Sequence, residues 1–456
     1  MTFDILIHRF TLFAILALAL VFGAITARTI LRRYPRSSKL KIAPVGKANG
    51  IIFGKPFPFF RVYSPSNNEG HIIVLGGSGL GKTTALLIPT LRSWKGAVFC
   101  IDISGDICRN IPGKKLVFDP FGANGTIPYN PFYLIDQLQS TEEQDAALER
   151  MANLLIPNEP STGGDSNYFL NGARAILAAC LIAGYHAGKD LPTICRTIVS
   201  TPYQDLFSLV DRSGSKHACT FINGFEGNNE KNVAGCYQKC SSAIGLFARN
   251  YHVREALRRP VPGEPSITPK DLDDKRVFVV IPIELLEQAA PLLLLITQQV
   301  IEYVHTRPLY SPVPLLMALD EFSSLGRLDL LPAFRTARKH RVRIMILTQS
   351  LADIDLAYGA LTRRSIMENC LFRVALGAAD HETQLYLAEL VGKAETVRET
   401  TRFEGLFTPS RSYTTEQQYQ ISPQDFACLG DDLIVLHPAG FSRLKKAFFF
   451  KKKKGK

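Results

Sequence analysis

A chain of 456 residues with 46% hydrophobic residues has room for two or three domains with their own cores, and its nine cysteines include no C-x-x-C pair that would indicate a zinc or redox motif. The formal net charge of +12 is concentrated at the two ends, with +7 over residues 1–47, +8 over residues 441–456 and −3 over the rest. The charge alone therefore does not indicate DNA binding, because basic tails suit an anionic lipid surface equally well.

The first apolar run predicts a membrane anchor. Phe10–Ala27 holds 18 residues without a charge, and a helix of that length just spans the hydrocarbon core of a bilayer. A cleaved signal peptide is the alternative. Because Arg and Lys dominate the segment after this run, we expect one uncleaved transmembrane helix within residues 1–28 and a basic juxtamembrane linker over residues 29–49. The same charge asymmetry places the bulk of the chain in the cytoplasm.

A glycine-rich segment directly follows the predicted strand Ile72–Leu75. It reads G-G-S-G-L-G-K-T-T and contains a complete phosphate-binding motif, G-x-x-x-x-G-K-T, before a predicted helix. Glycine backbones can point several N–H groups at one anion, Lys82 can reach the β- and γ-phosphates, and Thr83 can ligate Mg²⁺. The helix adds the positive end of its dipole. The predicted nucleotide-binding residues are Gly76, Gly77, Ser78, Gly79, Leu80, Gly81, Lys82, Thr83 and Thr84.

Two further strands continue an α/β pattern. Ala97–Ile101 leads into Asp102, and Lys115–Phe118 leads into F-D-P-F-G, which Y-N-P-F follows. Strands that alternate with helices predict a parallel sheet with both faces covered. Pro89 lies inside the predicted first helix and should kink it or end it early.

Residues 140–270 show helical patterns without strands. Ser140 and Glu143 form a capping box before a predicted helix over Asp145–Leu155, and Tyr168–Ala187 predicts a helix that Gly188 stops. We therefore predict an all-α domain inserted into an α/β body. The body spans residues 50–139 and 271–440, and residues 441–456 are predicted as a basic, solvated C-terminal tail.

The α/β pattern resumes after the helices, and one of its strands ends in two carboxylates. Leu315–Leu319 runs directly into Asp320 and Glu321, at the edge of a parallel sheet that borders the phosphate loop. There Asp320 would hold Mg²⁺ through water, and Glu321 would orient or deprotonate an attacking water. A helix N-cap pair is the alternative role. The other predicted strands are Val277–Ile281, Arg343–Leu347, Phe372–Leu376 and Leu433–Leu436.

Polar and basic residues around the strand Arg343–Leu347 are further candidates. Gln349 follows the strand, where an amide contacts a γ-phosphate or attacking water, or alternatively a turn. One basic residue before the strand, Arg338 first, is a candidate arginine finger toward a neighbouring subunit. A solvated helix end, stabilised by the helix dipole, is the alternative. The basic cluster comprises Arg335, Arg338, Lys339, Arg341 and Arg343.

In these residues the chain resembles the type IV secretion coupling proteins, membrane-anchored ATPases of conjugative DNA transfer. The similar segments occur in the family's order between Gly70 and Pro438. They are the phosphate loop with L-L-I-P-T-L after it, F-D-P followed by Y-N-P, D-E-F-S-S-L-G-R-L, L-T-Q-S, and E-N-C-L-F-R-V-A-L-G with the D-H-E-T-Q-L-Y helix.

The resemblance implies a RecA-like P-loop NTPase domain interrupted by an all-α domain, with ATP and Mg²⁺ at the subunit interfaces of a homohexamer. It implies a single-pass protein of the bacterial inner membrane. Such a protein would use DNA-stimulated ATP hydrolysis to recruit relaxase-bound DNA or protein substrates and help drive them into a type IV secretion channel. The catalytic candidates are then Glu321, Lys82, Gln349 and Arg338, and the Mg²⁺ ligands are Thr83 and Asp320.

The chain departs from the family's pattern at two places. It shows one membrane helix where many members have two around a small periplasmic domain. The string D-I-S-G-D at Asp102–Asp106 also lacks the proline, lysine and glutamate usual in that loop. Two other functions remain open from the sequence: a DNA translocase of the chromosome-segregation type, and a nucleotide-switched docking platform with little turnover.

Overall fold

The computed structural model describes residues 41–44, 50–56, 60–63, 70–122, 126–158, 164–325, 328, 330–403 and 409–450. The predicted membrane anchor and most of the predicted linker lie outside these residues. The chain divides into two compact units. Unit 1 comprises residues 1–95, 349–352 and 370–456, and unit 2 comprises residues 96–348 and 353–369.

The strands are, in chain order, β1 (Lys41–Pro44), β2 (Phe60–Tyr63), β3 (His71–Leu75), β4 (Ala97–Asp102), β5 (Leu116–Phe118), β6 (Arg276–Val280), β7 (Leu315–Leu319), β8 (Val342–Thr348), β9 (Cys370–Ala375), β10 (Lys393–Phe403), β11 (Pro409–Tyr419), β12 (Asp432–His437) and β13 (Gly440–Lys445).

The α-helices are α1 (Ile88–Ser93), α2 (Asp106–Asn110), α3 (Tyr133–Asp136), α4 (Thr141–Leu155), α5 (Gly164–His186), α6 (Leu191–Ser200), α7 (Tyr203–Arg212), α8 (Lys216–Asn223), α9 (Glu230–Ala243), α10 (Gly245–Arg249), α11 (Tyr251–Leu257), α12 (Leu286–Thr306), α13 (Leu331–Thr336), α14 (Leu351–Tyr358), α15 (Ala360–Asn369), α16 (His381–Val391) and α17 (Pro423–Ala427).

Unit 1 carries the phosphate-loop strand. Its neighbouring strands follow the order β13-β12-β9-β3, in which β3 and β9 run parallel and β12 and β13 are added in antiparallel fashion. Both β3 and β12 are buried along their whole length, because these short apolar runs are covered on both faces. The predicted C-terminal tail is wrong at its start, since Gly440–Lys445 forms a strand paired with β12.

Two antiparallel strand pairs of unit 1 lie outside this order and were not predicted. The first joins β1 to β2, so Lys41–Pro44 of the predicted linker forms a strand. The second joins β10 to β11 over eleven residue pairs. The sequences of β10 and β11 lack the regular alternation of apolar and polar residues that marks a half-buried strand, so the pattern did not predict them.

Unit 2 carries parallel strands in the order β8-β7-β4-β6-β5. Every residue of β4, β7 and β8 is buried, as expected for strands of a parallel sheet between helices. The fold class is therefore mixed α/β with a large, mainly parallel sheet, which confirms the sequence prediction at that level.

Between α4 and α11 the described part of unit 2 contains helices and no strand. The Ser140 hydroxyl accepts a hydrogen bond from the Glu143 N–H, as the capping box predicts, although α4 begins at Thr141 rather than Asp145. These helices belong to the same compact unit as β4 to β8. A separate all-α insertion domain over residues 140–270 therefore stays a prediction.

The helix α5 is unusually apolar. Its segment Asn167–His186 is the one stretch of the described residues that is long and apolar enough to cross a membrane, and half of that stretch is buried inside the protein. The helix packs against α4, α8 and α9, and Ala173, Ile176 and Leu177 have no exposed surface. We interpret it as the inner helix of the all-α segment.

The Y-N-P motif joins the strands of unit 2 to its helices. The buried Tyr129 hydroxyl donates to the side-chain oxygen of Gln299 on α12 at 2.7 Å, and the Gln299 amide donates to the Pro131 carbonyl at 2.6 Å. The Tyr129 N–H donates to the carbonyl of Ala256, in the last turn of α11. We call the helices α4 to α11 the all-α segment. The motif therefore attaches the chain just before this segment to the last helix of the segment.

We expect Tyr129→Phe to lower the free energy of unfolding by about 1–3 kcal/mol, because it leaves the Gln299 oxygen buried without its donor. Urea unfolding followed by circular dichroism measures this change. The exposed Tyr251→Phe is the matched control and should stay within about 0.5 kcal/mol of the wild type. Equal stability of the two variants would contradict a structural role for the Tyr129 hydroxyl.

Candidate functional site

The phosphate loop connects β3 to a helical turn in unit 1. Gly79 has φ 75° and Gly81 has φ 97°, left-handed angles that glycine adopts without strain. The Lys82 ammonium donates to the Gly76 carbonyl oxygen at 2.7 Å, and Lys82 is only 7% exposed. The lysine therefore lies folded across a loop whose backbone N–H groups can surround an anion, as the motif predicts. Ser78 and Gly79, at the tip of the loop, are exposed.

The first turn of the helix after the loop is a π-helix, Lys82–Leu87, before α1. The Ile88 N–H donates to the Thr83 carbonyl, five residues back. In that register the next donor, residue 89, would serve the Thr84 carbonyl, but residue 89 is proline and has no N–H. The Phe449 N–H donates to the Thr84 carbonyl instead, at 3.1 Å. The expected disturbance at Pro89 is thus a π turn, and the helix ends early, at Ser93.

The chain after β9 forms a support for the loop that the sequence analysis missed. The Leu376 N–H donates to the Leu75 carbonyl at 2.8 Å. A Cβ atom added to Gly76 would lie 3.0 Å from the Leu376 Cβ, whereas one added to Gly77 would meet nothing closer than 3.7 Å. Gly76 is therefore required by packing against Leu376. The sequence offered one indication of this contact, the E-N-C-L-F-R-V-A-L-G string that contains Leu376, but the sequence analysis assigned it no role.

Gln349 also belongs to unit 1 and is exposed at the end of β8. No described residue makes a side-chain hydrogen bond with it. The chain just beyond is fixed, because the Leu351 N–H donates to the Thr383 hydroxyl at 3.1 Å, and the Thr383 N–H donates to the Asp380 carboxylate at 2.7 Å. The Gln349 amide is therefore presented from a firmly held turn and is available to a ligand.

The acidic pair ends β7 in unit 2. Asp320 is 5% exposed, and its N–H donates to the Ile101 carbonyl of β4 at 3.4 Å. Glu321 adopts φ 46° and ψ 53°, a left-handed conformation that costs a residue with a side chain about 1 kcal/mol or more. A 3₁₀ turn, Phe322–Ser324, follows at once. Such strain at a strand end is typical of functional sites, because it gives a side chain a direction that regular strand geometry does not allow.

A second buried carboxylate lies beside Asp320. Asp102, at the end of β4, accepts hydrogen bonds from the Cys108 N–H at 2.7 Å and from the N–H and hydroxyl of Ser104 at 3.2 Å each. Burial raises the pKa of Asp102, and these hydrogen bonds oppose the rise. Burial, and then Asp102 and Asp320, raise the pKa of the Cys100 thiol well above its usual value, so both carboxylates lie near that thiol.

Asp102 therefore organises the D-I-S-G-D turn. Its hydrogen bonds to Ser104 and Cys108 hold the start of α2, so its oxygens are used inside the protein. This geometry gives Asp102 a structural role. Asp320 is the carboxylate at this edge of the sheet that is proposed to act on a ligand. A structural role for Asp102 is consistent with the D-I-S-G-D string, which lacks the proline, lysine and glutamate usual in this loop of the family.

The predicted basic cluster divides into two groups. The short helix α13 ends at Thr336, and a 3₁₀ turn, Ala337–His340, follows it. Arg343 is only 4% exposed inside β8, and the Arg341 guanidinium donates to the carbonyls of Ser311 and Pro312. Neither belongs to a surface cluster, which corrects the prediction for these two residues.

Arg335, Arg338 and Lys339 remain exposed. Within the described part of the chain, the Arg338 guanidinium makes no hydrogen bond or ion pair. Arg338 lies in a short 3₁₀ turn, and its exposed guanidinium is accessible for contact with a second subunit.

The described residues fit a nucleotide with Mg²⁺. A loop with left-handed glycines, a lysine across it and the Thr83 hydroxyl at the helix start suits a triphosphate. No group of three or more His, Cys, Asp or Glu side chains in the described part of the chain forms a metal site. Mg²⁺ in such proteins is held mainly by phosphate oxygens and water, with one or two protein ligands.

The family model described as type IV secretory system conjugative DNA transfer matches residues 36–456. The chain belongs to this family. The resemblance drawn from the sequence is thereby confirmed.

Curated relatives agree with this assignment. Protein VirD4 of Rhizobium rhizogenes is 25% identical over 409 residues, which cover 86% of this chain and 59% of that protein. Protein VirD4 of Agrobacterium fabrum (strain C58 / ATCC 33970) is 27% identical over 365 residues, covering 76% and 53%. The chain thus spans less than two thirds of the length of these relatives.

Solved structures of the plasmid coupling protein TrwB share the fold. TrwB in complex with the non-hydrolysable ATP analogue ADPNP has a TM-score of 0.68 at 16% identity, and the similarity covers 90% of this chain and 91% of that one. The unbound TrwBdeltaN70 structure has a TM-score of 0.67 at 18% identity, covering 85% and 87%. At these identities the similarity establishes the architecture of this family member and not its ligands.

The packing of Gly76 on Leu376 gives a direct test of the loop. We expect Gly76→Ala to weaken binding of Mg²⁺-ADP about tenfold, because an added methyl group would push the loop off Leu376 at a cost of about 1–3 kcal/mol. Isothermal titration calorimetry measures the affinity. Gly77→Ala is the matched control, with space for its methyl group, and should stay within about twofold. Equal losses in both variants would show that Leu376 does not decide the effect.

Proposed function

We propose that this chain is an ATP-hydrolysing coupling protein that recruits DNA or protein substrates and helps drive them into a type IV secretion channel. The observation that carries the proposal is the phosphate loop, with left-handed Gly79 and Gly81 and with Lys82 folded across it. Membership of the conjugative DNA-transfer family supplies the setting.

In this proposal the candidate residues bind and hydrolyse one nucleotide. Bound Mg²⁺-ATP supplies the phosphoanhydride that water cleaves. Lys82 neutralises charge on the β- and γ-phosphates, while Thr83 and, through water, Asp320 hold the metal. Glu321 orients the attacking water and accepts its proton. Gln349 contacts the γ-phosphate or that water from its fixed turn.

Arg338 acts in the next subunit of a homohexamer. Its exposed guanidinium would neutralise charge that develops on the γ-phosphate of a neighbour's nucleotide, an effect worth about 10³–10⁵ in rate in other nucleotide hydrolases. ATP bound between two subunits is hydrolysed only when both are assembled, which would link turnover to formation of the ring.

The setting follows from the sequence and the family. One N-terminal helix would anchor the chain in the bacterial inner membrane with its bulk in the cytoplasm. Relaxase-bound DNA, secreted proteins and channel subunits are the proposed partners. Substrate choice would lie in the helices of residues 140–270, because the nucleotide-hydrolysing part has no feature that distinguishes one cargo from another.

The first test is ATP hydrolysis by the full chain in detergent, with and without single-stranded and duplex DNA. We expect DNA to stimulate hydrolysis, and Lys82→Ala to reduce the rate at least about 100-fold because the charge on the phosphates loses its partner. The exposed Lys95→Ala is the matched control and should keep wild-type activity. Hydrolysis that survives in Lys82→Ala would place the reaction at another site.

The second test asks whether Arg338 acts on a neighbour. Arg338→Ala and Lys82→Ala should each be inactive alone, while the exposed Arg335→Ala should be active. Mixed before assembly in equal amounts, the two inactive chains should recover about a quarter of wild-type activity, because one interface in four pairs an intact loop with an intact Arg338. A mixture that stays inactive would contradict a finger supplied by the next subunit.

A further inference from the structure

The segment that follows β13 is packed against unit 1. The Lys446 N–H donates to the Asp431 carbonyl at 2.9 Å, and its ammonium donates to the Gly430 carbonyl at 2.7 Å. Ala447 is fully buried. The three phenylalanines that follow, Phe448–Phe450, are therefore held at a fixed place and do not begin a solvated tail.

Two contacts place these phenylalanines at the phosphate loop. The Phe449 N–H fills the place of the donor that Pro89 lacks, on the Thr84 carbonyl. The Phe448 ring carbon Cε1 lies 3.2 Å from the position that a Cβ on Gly81 would occupy. Both contacts fall on the last glycine of the motif and on the helical turn that follows it.

The three rings form one aromatic surface. The Phe448 and Phe450 centroids are 5.6 Å apart, and those of Phe449 and Phe450 are 5.0 Å apart. The Arg92 guanidinium lies 4.9 Å from the Phe449 centroid and fixes that ring to α1. Phe448 is half-buried and Phe450 is 46% exposed, so the surface reaches solvent beside the loop.

The direction of a bound nucleotide brings its base to this side. Lys82 lies toward Gly76, at the end of β3, and in phosphate loops this lysine contacts the β- and γ-phosphates. The α-phosphate of a bound nucleotide would therefore lie toward the other end of the loop, where the helix begins. The ribose and base would extend beyond it, away from Gly76 and toward the turn that Phe448 and Phe449 contact.

We propose that Phe448 and Phe450 form the surface on which the base of the bound nucleotide stacks, and that Phe449 attaches this surface to the helix of the phosphate loop. The inference rests on the proposed nucleotide binding. It assigns a ligand contact to residues that lie far from the phosphate-binding motif in the sequence. Every nucleobase has a flat π face, so such a surface binds purine and pyrimidine nucleotides alike.

The test compares Mg²⁺-ADP with Mg²⁺-pyrophosphate, which lacks the nucleoside, by calorimetry on the full chain in detergent. We expect Phe448→Ala to weaken ADP binding about tenfold and to leave pyrophosphate binding within about twofold, because only ADP has a base to stack. Phe448→Trp, which keeps an aromatic face, should bind ADP within about threefold of the wild type, whereas Phe448→Leu should resemble the alanine variant.

The half-buried Phe207→Ala, in the all-α segment, is the matched control and should not change either affinity. Equal losses for ADP and pyrophosphate in Phe448→Ala would overturn the stacking surface, since the segment would then act only by shaping the loop. Unchanged affinities, or full function in Phe448→Leu, would overturn it as well. A wild-type chain that binds neither ligand would instead refute the proposed nucleotide binding itself.

Discussion

The phosphate loop keeps an open shape because segments from distant parts of the chain pack on it. A loop that leaves its N–H groups free for an anion has few hydrogen bonds of its own, so its neighbours must fix it. Leu376, just after β9, packs on Gly76, and the Phe449 N–H binds the Thr84 carbonyl. The strands of unit 1 are those that deliver these neighbours, which explains why β9, β12 and β13 accompany β3 in one compact unit.

One of the strained backbone positions in unit 2 is a catalytic candidate, Glu321. Three residues with side chains have positive φ in the described part of the chain: Tyr310, Glu321 and Arg341. Glu321 lies just after β7, next to Asp320, whereas Arg341 precedes β8, at the opposite end of that strand from Gln349. Each costs the folded state about 1 kcal/mol or more, and the buried strands on either side offset that cost. At Glu321 the left-handed backbone conformation ends the extended strand, and a 3₁₀ turn follows.

Local chemistry could be predicted from the sequence, and distant packing could not. The loop motif, the acidic pair after an apolar strand and the strand alternation are all readable within a few residues, and the structure has them where they were expected. The polar strands β10 and β11 show no pattern that predicts a strand. The Arg and Lys residues in β13 led to its prediction as part of a basic tail. The contact between Phe448 and Gly81 joins residues that are far apart in the sequence, which no local pattern contains.

The motifs that identify the family serve two physical purposes. The phosphate loop and the residues directly after β7 and β8 supply the side chains that are proposed to act on the nucleotide. Tyr129 of Y-N-P instead holds Gln299 inside unit 2, and Asp380 of the D-H-E-T helix caps α16 and positions Thr383. Thr383 in turn accepts the Leu351 N–H, two residues after Gln349. Motif residues of the second kind stabilise the fold, and Thr383 also fixes the backbone beside Gln349, so a motif match alone cannot assign a catalytic role.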